Sequence, residues 1–193
     1  LGSGCVFGVL PQGTFNYFGR AYGAPEDPEE AMHAVLAGHV EPVQVGRVNG
    51  RVFLVSASVG MYPQLIEDRE AWKARFGRSR FVALAAGLRT LLSAHRQLTL
   101  ELDGDAGATR LRTITLVVVN NALQLEQLGL DEAPVVQQGR LAFITVKPVT
   151  TWTMLGLVVR GAMGKLGDAR AVRVQTARRV RARARDWLHR RIK

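Results

Sequence analysis

This chain of 193 residues contains one cysteine, Cys5. No disulfide can form within it, which points to a reducing compartment or to indifference to redox state. No apolar run reaches the roughly 20 residues that a helix needs to span a bilayer, and no signal peptide is read at its start. Low-complexity tracts are missing as well. His33 and His39 have no Cys or carboxylate at ligand spacing, so they read as surface residues rather than metal ligands. Cys5 lies in an apolar run with no nearby His, so a buried structural role is expected over a nucleophilic one. Acid is scarce at one end. From Arg170 to Lys193 there are nine Arg and one Lys against the single acid Asp186, while the whole chain carries +10. The body is therefore nearly neutral and one terminal segment is cationic. Such a segment attracts phosphate-rich partners: nucleic acid, anionic lipid headgroups or a nucleotide.

What is present suffices for a core, at 47% hydrophobic residues. The organising stretch is Leu10-Pro11-Gln12-Gly13-Thr14-Phe15-Asn16-Tyr17-Phe18. Before it, Cys5 to Leu10 is long enough for one buried strand. Pro11 stops that strand because it cannot donate to a ladder. Gly13 permits a sharp turn, Thr14 suits an N-cap, and Phe15 to Tyr22 reads as a short helix closed by Gly23. A strand, a Gly-Thr turn and a helix N-terminus together can hold an anion. The plainer alternative is an ordinary capped connection.

A second helix opens at Asp27-Pro28-Glu29-Glu30, with an N-cap, a proline at the first position and two acids at the positive dipole end. Met32, Val35 and Leu36 give it an apolar stripe, and Gly38 ends it. Val43 to Val48 and Arg51 to Val55 flank Asn49-Gly50, a pattern that predicts a hairpin with a type I′ turn. Helices are expected at 65–76 and 80–96, the second with Phe81, Leu84, Leu88 and Leu92 at helical spacing. Leu98 to Leu102 alternates as a strand, residues 103–107 form a turn, and Thr113 to Val119 is β-branched enough for a central strand. Asn120-Asn121 end it, where a polar pair can cap, turn or bind ligand. Ala142 to Val146 is a further strand. Thr151 to Leu166 reads as a helix with Trp152, Leu155, Val159 and Leu166 on one side. Ala171 to Thr176 and Arg179 to Arg185 are strands, the latter alternating Arg with small apolar residues, as one wet and one buried face require. Trp187 to Lys193 begins one more strand.

The segment Leu10 to Arg20 resembles the "LPxGTxNxFAR" motif of the diacylglycerol kinase catalytic domain family, which includes bacterial lipid kinases and their sphingosine and ceramide kinase relatives. Gly19 replaces the usual Ala. Similarity continues through the 43–60 hairpin, where Gln44 stands in place of an Asp, through Asn120-Asn121, and through Leu125 to Leu130. It implies an α/β plus β-rich fold: the end of a Rossmann-like nucleotide domain (residues 1–39), then a β-sandwich domain with helical insertions (residues 40–193), as in NAD kinases and diacylglycerol kinases. It implies ATP and Mg²⁺ as cofactors, with Gly13, Thr14 and Asn16 in the nucleotide cleft and Asn120 and Asn121 at its mouth. In several members an acid holds a structural Mg²⁺ at the positions of Gln137 and Gln138. An amide ligates without charge, so that metal site is expected to be weak or absent. The family's "GGDGT" phosphate loop would precede Cys5, and its "DGE" turn with the catalytic acid would follow Lys193. On that resemblance, and from a start at Leu1 without Met, the chain reads as part of a longer lipid kinase and is expected to be inactive alone.

The partners implied are a lipid alcohol substrate and an anionic membrane surface, approached peripherally from the cytoplasmic side and serving phospholipid metabolism; self-association stays open. A basic β-domain that binds nucleic acid or anionic lipid is the alternative, but the Arg stripe lacks interleaved aromatics for base stacking. A non-catalytic homologue with a decayed active site is a third reading. Phosphorylation of a different alcohol, as in the NAD kinases, also stays open.

Overall fold

The computed structural model of the chain describes residues 4–60, 97–104, 107–179 and 181–184. The expected helices at 65–76 and 80–96, and the segment from Trp187 onwards, lie outside these residues. The described part is mixed α/β, with three antiparallel sheets.

Local chemistry sets the first elements. Helix α1 is Tyr17–Ala21 and α2 is Pro28–Ala37. The cap of α2 is as expected: one Asp27 carboxylate oxygen accepts from the amides of Glu29 and Glu30 at 2.9 and 3.0 Å. Gly38 closes the helix at φ 76°, a left-handed position that suits glycine. Strands β1 (Gly46–Val48) and β2 (Arg51–Phe53) form the hairpin around Asn49 and Gly50, both at positive φ.

Three expectations fail in this region. Cys5 to Leu10 carries no strand, and Cys5 is exposed rather than buried. An apolar run becomes a strand only where a neighbour supplies ladder partners, and no described strand lies beside this one. Thr14 does not cap α1; that position falls to Asn16. The stripe on α2 is not buried either. Met32, Val35 and Leu36 stay exposed, and only Ala31 is fully covered.

The remaining strands are β3 (Ser56–Gly60), β4 (Leu98–Gly104), β5 (Gly107–Thr113), β6 (Thr115–Val119), β7 (Leu141–Val146), β8 (Val172–Ala177) and β9 (Arg181–Ala184). Helices α3 (Ala122–Gln127), α4 (Ala133–Gln137) and α5 (Thr151–Ala162) fall between them. One sheet has the order β3-β6-β7-β8 and another the order β5-β4-β9. Sequence reading missed β5, because Gly107 to Arg112 offers small and charged residues in place of the β-branched ones that mark a strand.

Strand β5 runs directly into β6, yet the two belong to different sheets. The buried Thr113 makes this corner. Its hydroxyl accepts from the amides of Thr115 and Val146 at 3.2 and 3.1 Å and lies 2.6 Å from the Thr115 carbonyl oxygen. A corner of this kind needs every backbone group satisfied, because water is excluded there.

Period-two alternation then sends β6 and β7 both ways. Val119, Ala142 and Ile144 pack with Leu125 of α3, Leu130, and Ala133 and Val136 of α4. Leu116 and Phe143, on the opposite side, pack with Leu98, Leu100 and Leu102 of β4. Each such side chain stabilises by about 1.5–3 kcal/mol when fully buried. Register sets Ala184 and Ala182 of β9 beside Leu100 and Leu102, and Arg183 and Arg181 beside Glu101 and Asp103.

Helix α5 starts at Thr150, whose hydroxyl accepts from the Thr153 amide at 3.4 Å. It packs through Met154 and Leu157 against Ile114 and Ala169, with Leu155 and Leu166 alongside. The expected stripe was therefore set on the wrong side at two positions, since Trp152 and Val159 face solvent.

The turn after α5 clasps the turn after α3. The Leu166 amide donates to the Leu128 carbonyl at 2.9 Å. A methyl on Gly129 would collide with the Gly164 carbonyl, and φ there is +68°. Gly139 has a similar φ, +82°, but open space around it. Gly129→Ala is therefore expected to cost about 2–4 kcal/mol and Gly139→Ala about 1 kcal/mol. Urea unfolding of the two variants measures the difference; equal losses would mean that the clasp is not tight.

Candidate functional site

The loop 11–16 gets its shape from one side chain. Asn16 adopts φ 44° and ψ 36°, a left-handed conformation that Asn tolerates better than most residues. Its Oδ1 turns back and accepts from the Gly13 amide at 2.8 Å. The Asn16 carbonyl takes the Arg20 amide at 3.0 Å, the first turn of α1. One of the amides expected to meet an anion is thus already engaged. Thr14 is exposed at the tip, with its hydroxyl open to solvent. Pro11 is buried beneath the loop.

The Arg20 guanidinium donates to the Phe15 carbonyl of the loop at 3.5 Å. Its Nε lies 3.3 Å from Glu26 Oε1, a solvent-facing pair worth at most about 1 kcal/mol. Under α1 the rings of Phe7, Phe18 and Tyr22 form a chain with centroids 5.8 and 5.0 Å apart. These tilted contacts hold the segment before the loop against the helix after it.

The second set of predicted residues lies at the end of β6, and the fold brings it to this loop. Asn121 is 4% exposed. Its Oδ1 caps α3 by accepting from the Gln124 amide at 3.0 Å, and its Nδ2 donates to the Tyr17 carbonyl at 3.1 Å. Tyr17 is the residue after Asn16, so two candidates separated by more than a hundred residues in sequence become neighbours. Asn120 is 7% exposed. Its Nδ2 donates to the carbonyls of Gln44 and Leu54 at 3.0 and 3.1 Å. Its Oδ1 accepts from Gln44 Nε2 at 2.7 Å. Both Asn side chains are thus committed to bonds within the protein.

Sequence reading noted Gln44 only as a departure from Asp, yet it is central here. Its Nε2 also reaches the Arg140 carbonyl at 3.2 Å, and its amide donates to the Tyr22 hydroxyl at 3.2 Å. Gln124 was missed altogether. Its Oε1 is buried and makes no hydrogen bond among the described residues. An unsatisfied buried acceptor costs about 1–3 kcal/mol and calls for an explanation such as a bound donor. No pattern in the sequence marks it.

Gln137 ends α4 and Gln138 caps it, both exposed. Two neutral amides at a helix end do not fit a hard cation, which calls for at least one carboxylate. Among the described residues no group of three His, Cys, Asp or Glu side chains could hold a metal ion. Nor is any helix among them long and apolar enough to cross a membrane.

Comparison with known proteins agrees with the motif at residues 10–20. A family model described as the diacylglycerol kinase catalytic domain matches residues 1–48. A diacylglycerol kinase of Bacillus subtilis (strain 168) is 29% identical over 130 residues, covering 66% of this chain and 43% of that protein. One from Staphylococcus aureus (strain JH9) is 40% identical over 58 residues, covering 30% of this chain and 18% of that protein. The crystal structure of a diacylglycerol kinase from Bacillus anthracis str. Sterne superposes with a TM-score of 0.61 at 18% identity. That match covers 95% of this chain and 58% of that one, and shows a shared fold. The chain thus spans about half the length, or less, of the relatives it matches.

The Gln44–Asn120 pair supplies a test of the junction. Asn120→Ala strands buried partners and is expected to destabilise by about 2–4 kcal/mol. Gln44→Ala should cost about half of that. The double variant should lose less than the sum, because the two share one network. A double-mutant cycle by thermal unfolding reads the coupling; strict additivity would show that the network does not exist.

Proposed function

We propose that this chain, which is similar to the diacylglycerol kinases, is part of an ATP-dependent lipid kinase. It transfers the γ-phosphate of ATP to the hydroxyl of a diacylglycerol-like or sphingoid lipid. The carrying observation is the loop of residues 10–20, which matches the family motif and is tied through the Tyr17 carbonyl to Asn121. Residues 1–39 belong to the nucleotide-binding domain in this reading, as the closing part of a Rossmann-like unit. Residues 40–193 form the second, β-sandwich-type domain with its helical insertions. The packing of β4 on β6 and β7 supports that layout.

The residues fit the nucleotide in a limited way. Thr14 is exposed to it, and Gly13 brings no side chain of its own, although Asn16 Oδ1 lies against it. Asn16 contributes indirectly, by fixing the Gly13 amide. Asn120 and Asn121 hold the cleft wall in register. Phosphoryl transfer is mainly a matter of positioning and charge stabilisation, so a loop shaped by fixed hydrogen bonds suits it. Bound with the nucleotide, Mg²⁺ would offset the charge of the phosphates; no side chain of this chain is assigned to hold it. These residues orient the donor, and none of them is assigned as the base that takes the lipid hydroxyl proton. The enzyme meets its lipid as a peripheral protein at the cytoplasmic membrane face, attracted there by the cationic segment from Arg170 onwards.

The test is phosphate transfer from ATP to diacylglycerol, sphingosine and ceramide in vesicles by the whole protein in which this chain lies. Transfer to one of them is expected from the whole protein, and none from residues 1–193 alone. Thr14→Ala should lower kcat/KM for ATP about tenfold, the worth of one good hydrogen bond in the transition state. Its unfolding midpoint should not move, because Thr14 is exposed. A folded protein that binds vesicles but phosphorylates no lipid would sink the kinase reading in favour of a non-catalytic binding domain.

A further inference from the structure

Helix α5 carries two apolar faces, and the fold uses one. Met154 and Leu157 point inward. On the opposite side Trp152 is 82% exposed, Val159 51% and Met163 62%. Val159 is seven positions after Trp152, and Met163, the residue that caps the helix, is four further on, which keeps all three within one narrow strip. Gly156 lies in the same strip, and a methyl added there would touch nothing. The strip is therefore flat, apolar and unpartnered among the described residues.

Its surroundings define the partner. From Lys147 to Arg170 there are four cations, Lys147, Arg160, Lys165 and Arg170, against the one acid Asp168. All four cations are exposed. The Arg160 guanidinium donates to the Asp168 carbonyl at 3.4 Å, which holds its charge near the end of the helix. A tryptophan at one end of an exposed apolar strip with a cationic border matches a bilayer interface: indole and aliphatic groups enter among the acyl chains while ammonium and guanidinium groups reach lipid phosphates. Another exposed apolar area among the described residues, around Val6, Phe7, Leu36 and Val40, has the opposite border. Glu26, Asp27, Glu29, Glu30 and Glu41 lie along that segment, and an anionic surface would repel it.

We infer that the outer face of α5, made by Trp152, Val159 and Met163, docks on the surface of an anionic bilayer. The choice of a bilayer rather than a protein partner rests on the lipid-kinase reading; the location of the face does not. The helix lies along the interface without crossing it, since 12 residues are far too few to span. Attraction by the cations brings the chain to the surface, and insertion of Trp152 keeps it there.

The experiment uses the full chain carrying Trp72→Phe and Trp187→Phe, so that emission reports Trp152 alone. Vesicles of phosphatidylglycerol with phosphatidylcholine, and of phosphatidylcholine alone, are the probes. The expected result is co-sedimentation with the anionic vesicles, a blue shift of Trp152 emission, and quenching by brominated acyl chains. Without the single-Trp changes, Trp152→Ser with Val159→Ser should weaken that binding about tenfold and leave the unfolding midpoint unchanged. Equal binding by this variant, unshifted Trp152 emission, or loss of self-association instead of vesicle binding would each overturn the inference. Phosphorylation of a short-chain, water-soluble diacylglycerol by the whole protein, with and without the α5 changes, separates the two readings, because it needs no bilayer. Activity there with no role for α5 removes only the docking face. Vesicle binding through α5 with no activity there removes only the kinase.

Discussion

An amide buried at the end of a strand cannot be left to itself, and Asn120 sets that condition for this fold. In a site almost closed to water its three hydrogen-bonding positions must find protein partners or cost several kcal/mol. They find the backbone of Gln44, the backbone of Leu54 and the side chain of Gln44. Gln44 in turn reaches Arg140 at the start of β7. One side chain thus fixes the entrance to the hairpin, the link into β3, the end of β6 and the beginning of β7. The next residue continues outward: Asn121 caps α3 and holds α1 by the Tyr17 carbonyl. Consecutive residues leaving a strand point to opposite sides. This is how two adjacent amides can serve two different neighbours.

Magnitude and specificity come from different places. The apolar clusters on the two sides of β6 and β7 supply most of the free energy, at about 1.5–3 kcal/mol for each large buried side chain. Those clusters would tolerate other packings at modest cost. The polar contacts add less in net terms, about 0.5–1.5 kcal/mol each, but they permit only one register. Thr113 makes the same contribution at the corner between the sheets, where its hydroxyl serves amides from two strands. Gly129 does so by sterics, allowing two turns to touch.

Much of this was legible in the sequence wherever local chemistry decides. The Asp27-Pro28 cap, the Asn49-Gly50 turn, Gly38 as a helix stop, and the β-branched run into Asn120 all follow from neighbours within a few residues. Burial was less legible, because it depends on partners far away in the chain. Cys5 to Leu10 and the α2 stripe are apolar yet exposed, and Trp152 lies on the side of α5 opposite its packed face. Strand β5 was hidden by its composition and forms because β4 offers a ladder. At the candidate site, the motif identified Gly13, Thr14 and Asn16, but not that Asn16 turns back onto Gly13. The role of Gln44 could not be read either, since its partners are 76 and 96 residues away.

The loop of residues 11–16 therefore depends on a junction rather than on a core. Three long-range contacts of the described structure tie this segment to the sheets: Asn121 to the Tyr17 carbonyl, the Gln44 amide to the Tyr22 hydroxyl, and the packing of α1 on α3. The Arg20–Glu26 pair is local and screened by solvent, so it adds little. A few hydrogen bonds of this kind sum to a few kcal/mol, the scale of contacts between domains that move relative to each other. The cost of shifting the loop against β6 is thus small beside the cost of opening either apolar cluster. Such a junction sets the position of Thr14 relative to the end of β6 through directional contacts and not through a shared apolar cluster.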